Sequence, residues 1–467
     1  MQINWIKEVE KRKQDLLEDL NTLLRIDSVR RDDLASDEAP VGPGPKEALE
    51  AFLKIGERDG FKTKNVGNLA GHIEFGQGEE LMGVFGHVDV VPVGTGWDTD
   101  PFTPTIKDNR LYARGASDDK GPTVAAYYAI KMIKELGLPV NKTLRLIIGT
   151  DEESGWKCMD RYLATERKPD FGFSPDADFP IINGEKGILT LKVHKNSPVT
   201  QHATKLLSFE AGLRENMVPQ DARAIVSLPV SLEEVEEALA VFVQENPVSA
   251  TVRQENETFV IDVVGKASHG MAPMNGINAG TYLAVFLSQY DFRDSDNMYL
   301  SLIKDTLHGE YYGEYLGLSH NDDIMGELTM NPGVFTYKHG EKGSIWLNFR
   351  YPKGVSAEQL EEKLSLALAD YQVDIEAGKS QTPHYVPADD PMVKVLLDVY
   401  EKYTGHKGSE RTIGGGTYGR LLDRGVAYGA MFPHSIDTMH QANEFIDLDD
   451  LFKATAIYAE AIYELIK

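Results

Sequence analysis

The residues best able to do chemistry in this chain lie in five short runs: His87 and Asp89 in "GHVDVVP", Asp118 and Asp119 in "ARGASDDKGP", Asp151, Glu152 and Glu153 in "GTDEES", Asp176 and Asp178 in "SPDAD", and His440 and Glu444 in "MHQANE". Imidazoles and carboxylates are ligands that divalent ions take, and a carboxylate beside a water molecule is a general base. Each run also has an ordinary structural reading. Three adjacent acids suit a solvated loop, a histidine two residues from an aspartate suits a core imidazole satisfied by its neighbour, and acids just before a helix suit a cap. The run "LIIGTDEESGWKC" (146–158) sharpens the choice. It carries an apolar strand straight into three carboxylates, which repel one another and resist burial unless a cation compensates them.

Bringing such groups together calls for an α/β framework. "LMGVFGHVDVV" (81–91) and "TLRLIIGT" (143–150) read as buried strands, and "FGFSPDA" (171–177) as a shorter one ending in an acid. Between the first two, "GPTVAAYYAIKMIKELG" (121–137) has proline just inside its start and glycine at its end, as a helix does. Trp5, Val9, Leu16, Leu20, Leu23 and Leu24 recur at roughly helical spacing and predict one amphipathic opening helix on the sheet. In open α/β sheets ligands gather beyond the carboxyl ends of the strands, where His87, Asp151 to Glu153 and Asp176 fall. Three strands therefore deliver metal-type ligands to one edge.

Composition narrows the partners. The 467 residues hold 48 Lys and Arg against 73 Asp and Glu, a formal net charge of −25. Nucleic acid and anionic membranes are repelled by such a surface, whereas small solutes and cations are not. Cys158 is the only cysteine, so no internal disulfide forms, and a buried small hydrophobe is its ordinary reading. The first residues lack the apolar core of a signal peptide, and no stretch reaches eighteen consecutive apolar residues. The expectation is a soluble cytoplasmic protein.

From about residue 186 the texture changes. "GILTLKVHK" is an alternating strand, and two segments then repeat one plan: strand, capping box, helix, strand. In the first, Ser231 and Glu234 form the box and "SATVRQ" the last strand; in the second, Ser356 and Gln359 precede "YQVDIEA". After about residue 382 a long helix, the loop "GGGTYGRLL" and a final helix follow. The division expected is 1–185 for the first part of a catalytic domain, 186–381 for an inserted α+β lid of two strand-helix-strand units, and 382–467 for the second part of the catalytic domain.

Taken in order with "NMVP", "NFRYP", "PHYVP" and "IGGGTYGR", the five runs resemble the co-catalytic metallopeptidases that include aminoacylases, carnosinases and glutamate carboxypeptidases. The resemblance runs nearly end to end and is strongest to the PepV-type dipeptidases of Gram-positive bacteria. It implies an α/β/α zinc-peptidase catalytic domain with a mixed sheet, an inserted lid and two divalent ions per chain, zinc first, with manganese or cobalt as further candidates. His87 and Asp176 would hold one ion, Glu153 and His440 the other, and Asp118 would bridge both. Glu152 would be the general base that activates the hydroxide shared by the ions, and Asp89 would orient His87.

The resemblance further implies that His269 of "GKASHGMAP" supports the oxyanion, and that Arg350 and Asn216 hold the substrate's terminal carboxylate. Amides of Gly414, Gly415 and Gly416 would assist. Short peptides, chiefly dipeptides with free ends, would be the substrates, with an acid such as Asp89, Glu152 or Asp178 near the free amine. A deacylase of N-acyl amino acids would use the same centre, and a non-catalytic peptide-binding protein would be expected to lack a ligand or the base. The doubled lid implies a monomer.

Overall fold

The sheet of the first unit is built from strands whose side chains alternate between two apolar layers. In the computed structural model, which describes residues 3–199 and 202–467, this unit comprises the chain up to Gly184, Tyr385–Arg411 and Gly416–Lys467; the second unit comprises Glu185–His384 and Thr412–Gly415. Thr412–Gly415 thus groups with the second unit rather than with the C-terminal part expected from 382 onward.

The first unit's six-stranded sheet comprises Lys62–Val66 (β1), Ala70–Gly76 (β2), Leu81–His87 (β3), Thr143–Gly149 (β4), Phe171–Ser174 (β5) and Gly425–Ala427, in the order β1-β2-β4-β3-β5-(Gly425–Ala427). β3 runs parallel to β4 and β5, while β2 is antiparallel to both β1 and β4. Met82 and Val84 of β3 and Leu144, Leu146 and Ile148 of β4 enter one core. Helices Lys13–Leu24 (α1), Pro43–Arg58 (α2), Lys120–Glu135 (α3) and Leu448–Ile466 share it. Phe85 and Ile147, one position out of phase, enter a second core with Cys158, Met159, Tyr162 and Tyr418. This is the α/β/α sandwich expected, with a mixed sheet. Each large apolar side chain so buried contributes about 2 kcal/mol.

Two local features set the site edge. His87, the last residue of β3, stands level with Gly149, the last of β4, so both chains leave the sheet at one height. Gly86 has no side chain because a Cβ there would lie 2.0 Å from Thr123 Oγ1, which lets α3 approach β3. The opening segment departs from expectation: it forms two helices, Trp5–Glu10 and α1, instead of one. Arg12 turns out of helical conformation at the junction and binds the carbonyl and carboxylate of Glu8, each at 2.9 Å, satisfying the exposed end of the first helix.

The second unit is an eight-stranded sheet, antiparallel throughout. Its elements are Gly187–Asn196 (β6), Lys205–Ala211 (β7), Asp221–Ser227 (β8), Leu232–Glu245 (α4), Ser249–Glu255 (β9), Thr258–Val264 (β10), Ala279–Leu287 (α5), Asp294–Thr306 (α6), Thr329–Lys338 (β11), Lys342–Tyr351 (β12), Ala357–Ala367 (α7) and Asp374–Gln381 (β13). The order β9-β10-β8-β7-β11-β12-β6-β13 has two matching halves that meet at the β7–β11 pair. In each half a strand-helix-strand unit (β8-α4-β9, β12-α7-β13) leaves a gap of one strand. β10 fills the first gap, and β6, from the start of the unit, fills the second. Both capping boxes form, at Ser231 with Glu234 and at Ser356 with Gln359. Ile188 of β6 faces Gln381 of β13, so the chain enters and leaves this unit on adjacent strands.

Candidate metal centre

The carboxyl edge of the first unit's sheet gathers the acids and imidazoles singled out above. β3 delivers His87, the loop after β4 delivers Glu152 and Glu153, and the loop after β5 delivers Asp176. Asp118 comes from the segment before α3, and His440 from the loop before the last helix. Asp118 lies between the imidazoles: Oδ1 is 3.1 Å from His87 Nε2 and Oδ2 is 2.9 Å from His440 Nε2. His440 Nε2 also lies 3.1 Å from Glu153 Oε1, and His87 Nε2 lies 3.7 Å from Asp176 Oδ2. Ligand atoms of His87, Glu152 and Asp176, and likewise of His87, Asp118 and Glu153, fall within 4.8 Å of one another.

The electrostatics call for added positive charge. Burial, reinforced by neighbouring acids, pushes the carboxyls of Glu152 and Asp176 well above the usual range. It carries those of Glu153 and Asp119 up to about 7. Burial also opposes charge on the imidazoles, but Asp118 with Asp89 raises His87 well above its ordinary value, and Asp118 with Glu153 raises His440 to about 11. Asp118 itself is held far below the carboxylate range, because its bonds to both imidazoles outweigh its burial. Two imidazoles do not balance this many acids. Mixed nitrogen and oxygen donors around one shared carboxylate fit divalent cations, whose charge would relieve the repulsion.

The supporting residues were less visible in sequence. Asp89 takes main-chain hydrogen bonds from Glu152 and Glu153, both 3.1 Å, so its carboxylate shapes the acidic loop. His87 Nδ1 meets Asp89 chiefly through the main-chain oxygen at 3.0 Å, with the carboxylate at 3.5 Å. Asp119 does not cap α3 with its side chain; it accepts from Thr123 Oγ1 (2.6 Å) and from the His87 amide (3.2 Å). Asp151, fully buried, is held by Arg30 at 2.7 Å and by the Lys157 amide at 3.0 Å. No sequence spacing links Arg30 to Asp151, 121 residues away. Asp178 pairs with Arg411 at 3.2 Å. Cys158 is buried against the Tyr418 hydroxyl (3.0 Å), and burial pushes its thiol up to about 12, an unreactive value.

The remaining candidates lie in the second unit, apart from Gly416 in the first. Asn216 accepts from the Gly270 amide at 2.7 Å, and the next residue, Met217, bridges to His269. His269 is exposed, and its Nδ1 accepts from the Met271 amide at 3.0 Å. Arg350 is 5% exposed, donating to Asn348 Oδ1 (3.0 Å) and to the Gly414 carbonyl (2.7 Å). A Cβ on Gly414 would lie 2.8 Å from that of Met271, so glycine is required there. Asn216, His269, Arg350 and Gly414 thereby share one neighbourhood around Met271.

A model of peptidase family M20/M25/M40 matches residues 83–464. This chain belongs to that family. Its members are metal-dependent, and the clustered donors at the sheet edge are candidate metal ligands. Two similar proteins carry the name "Putative dipeptidase". That of Staphylococcus saprophyticus is 45% identical over 464 residues and that of Staphylococcus epidermidis 44% over 465, each match covering 99% of both chains. Among solved structures, human carnosine dipeptidase 1 matches with a TM-score of 0.57 at 14% identity, covering 99% of this chain and 98% of that one. The dipeptidase Dug1p of Saccharomyces cerevisiae matches with 0.59 at 14%, covering 98% of each. At that identity the likeness shows the fold, a catalytic domain carrying a lid domain. No described helix is long and apolar enough to cross a membrane.

Proposed function

We propose that this member of the family is a dipeptidase with a dinuclear metal centre, acting on short peptides with free amino and carboxyl ends. The observation that carries this reading is Asp118, whose two oxygens each face a different imidazole. Two divalent ions, zinc first and manganese or cobalt as further candidates, would supply an acidified water and polarise the scissile carbonyl. His87 and Asp176 are the proposed ligands of one, Glu153 and His440 of the other, with Asp118 shared.

Glu152 is the proposed general base. With the ions in place its carboxylate would take a proton from the attacking water and hand it to the leaving amine. Asp89 keeps Glu152 and Glu153 in register by holding both amides. From the lid come Arg350 and Asn216 for the substrate carboxylate and His269 as a donor to the oxyanion. What supports these roles is the fork of the guanidinium and the grouping of the three residues around Met271. Gly414, Gly415 and Gly416 would add main-chain amides. Asp89 is taken up by two loop amides and Glu152 is the proposed base, so of the acids considered for the free amine the half-exposed Asp178 is the better candidate.

The dipeptidase names of close relatives support the substrate class, and the doubled lid supports action as a monomer. With one cysteine and no disulfide, a reducing cytoplasm is the compartment we propose. The test is turnover of a free dipeptide, its N-acetylated form and its C-amidated form, after metal stripping and restoration with single ions. Hydrolysis of the free dipeptide alone is expected. Preference for the acetylated form would make the protein a deacylase, and no hydrolysis by any metal-restored sample would leave a binding protein.

A further inference from the structure

We infer that Glu444 is a positioning residue of the metal centre, tying the segment that carries Asp118 to the loop that carries His440. This rests on the metal-centre reading above and adds to it a residue that touches neither substrate nor ion.

The carboxylate of Glu444 is fully buried and accepts four hydrogen bonds. Oε1 takes the amides of Ser117 (2.9 Å) and Asp118 (3.1 Å), and Oε2 takes the amide of Gly115 (3.1 Å) and Arg114 Nη1 (2.7 Å). Its main-chain oxygen accepts a fifth, from Ala113. The segment 113–118 belongs to no strand or helix, and Gly115 bends it at φ +85°. Regular structure therefore does not hold its amides; Glu444 takes those of Ala113, Gly115, Ser117 and Asp118, and main-chain carbonyls of Pro101 and Ala113 take those of Arg114 and Ala116. Asp118 needs such holding, because it can face two imidazoles at once only if its backbone is placed correctly.

The same carboxylate sits four residues after His440, in a loop where His440 and Asn443 both take positive φ, at 61° and 60°. That loop is pinned at its other side, since Asn443 Oδ1 accepts from the Asp98 amide at 2.8 Å. Arg114 extends the connection: it is 1% exposed, lies 5.3 Å over the Trp97 ring and reaches the carbonyls of Pro92 and Val93. Three loops separated widely in sequence thus converge on one buried ion pair. A glutamine at 444 could accept at only one atom, and its NH₂ would face amide donors and an unpaired guanidinium. Such partners behind a metal site tune affinity about 10- to 100-fold.

The experiment compares wild type, Glu444→Gln and Glu444→Asp by two readouts: zinc affinity from competition with a chromophoric chelator, and amide hydrogen exchange of the metal-free protein. Slow exchange at Ser117 and Asp118 is expected in wild type, at least tenfold faster exchange in Glu444→Gln, and zinc affinity about 10- to 100-fold weaker. Glu444→Asp keeps a charge beside Arg114 but is one methylene shorter, and should fall between. A pair that merely stabilised the fold would lower the melting temperature and leave the zinc affinity of the folded protein unchanged. Wild-type zinc affinity in either folded variant overturns the inference, as does rapid exchange at 117 and 118 in the native chain. If Glu444→Gln does not fold, Glu444→Asp and the native exchange decide. Absence of zinc binding by wild type would sink the metal-centre reading itself, an outcome distinct from equal binding by wild type and variant.

Discussion

Buried Asp19 and half-buried Asp59, between α1, α2 and α3, are packed with cations and hydroxyls from the chain itself, whereas buried Asp118 and the half-buried Glu152, Glu153 and Asp176 at the carboxyl edge of the sheet are packed with two imidazoles. In the first cluster Arg58 forks onto Asp19 (2.7 and 2.8 Å) and also binds Asp59 (2.9 Å). Lys131 and the Tyr127 hydroxyl reach Asp59 at 2.7 Å, and the Tyr128 hydroxyl reaches Asp19 at 2.6 Å. Against burial, Arg58, Lys131 and Tyr127 hold the Asp59 carboxyl well below the usual range. At the sheet edge the shift is upward for Glu152, Glu153 and Asp176. One cluster is complete within the chain; the other has the donors and the excess of acids that a divalent ion would balance. That difference separates a structural acid network from a candidate metal site.

The comparison can be broken in four ways. Metal stripping has the largest expected effect: peptidase activity is abolished and the melting temperature falls, with recovery on adding back a divalent ion. Unchanged activity in exhaustively chelated protein would place the two clusters in the same class. Glu152→Gln comes next, with kcat about 10²- to 10⁴-fold lower and zinc affinity retained. Because it removes one of several repelling acids, it should leave the metal-free protein as stable as wild type or more so; a large loss of metal-free stability would contradict the charge argument. Asp59→Asn should behave oppositely, destabilising by about 3 kcal/mol in denaturant titrations because Lys131 and Arg58 lose a partner, with kcat and zinc affinity unchanged.

The smallest effect concerns a third kind of buried group. His72 is buried beside the Tyr162 hydroxyl (2.9 Å), and burial together with Arg145 pushes its imidazole down to about 4. A base depressed in the folded state gives stability that is fully present above its unfolded value, near 6.5, and is lost as pH falls toward 4. Between pH 7.5 and 5, wild type should lose about 2 kcal/mol more than His72→Gln in urea unfolding. Identical pH dependence in the two would show that burial does not govern this imidazole.

Much of the molecule is legible from local pattern. The buried strands of the first unit, the two capping boxes and the strand-helix-strand units follow from apolar runs, apolar alternation and cap chemistry, which act over a few residues, although the strands stop at His87, Gly149 and Ser174, short of the expected 91, 150 and 177. The two opening helices look like one in sequence because apolar spacing is preserved across the break at Arg12. The filling of the second lid half by β6 is not readable either, since pairing between strands so far apart in sequence, Gly187 with Tyr351 and Asn196 with Lys342, leaves no periodic trace. For the same reason the link from Arg30 to Asp151 and the main-chain amides that Asp89 binds leave no mark in the sequence, while the candidate ligands stand out by type and order.

By itself the sequence determined the chemical inventory: which acids and imidazoles exist, that His87, Glu152, Glu153 and Asp176 follow buried strands, and that "GTDEES" and "SPDAD" hold acids with no cation among them. Only the tertiary structure decided that Asp118 faces His87 with one oxygen and His440 with the other. Ligand identity is a property of single residues, but the sharing of one carboxylate depends on distances between segments that meet only when the sheet and its loops have folded.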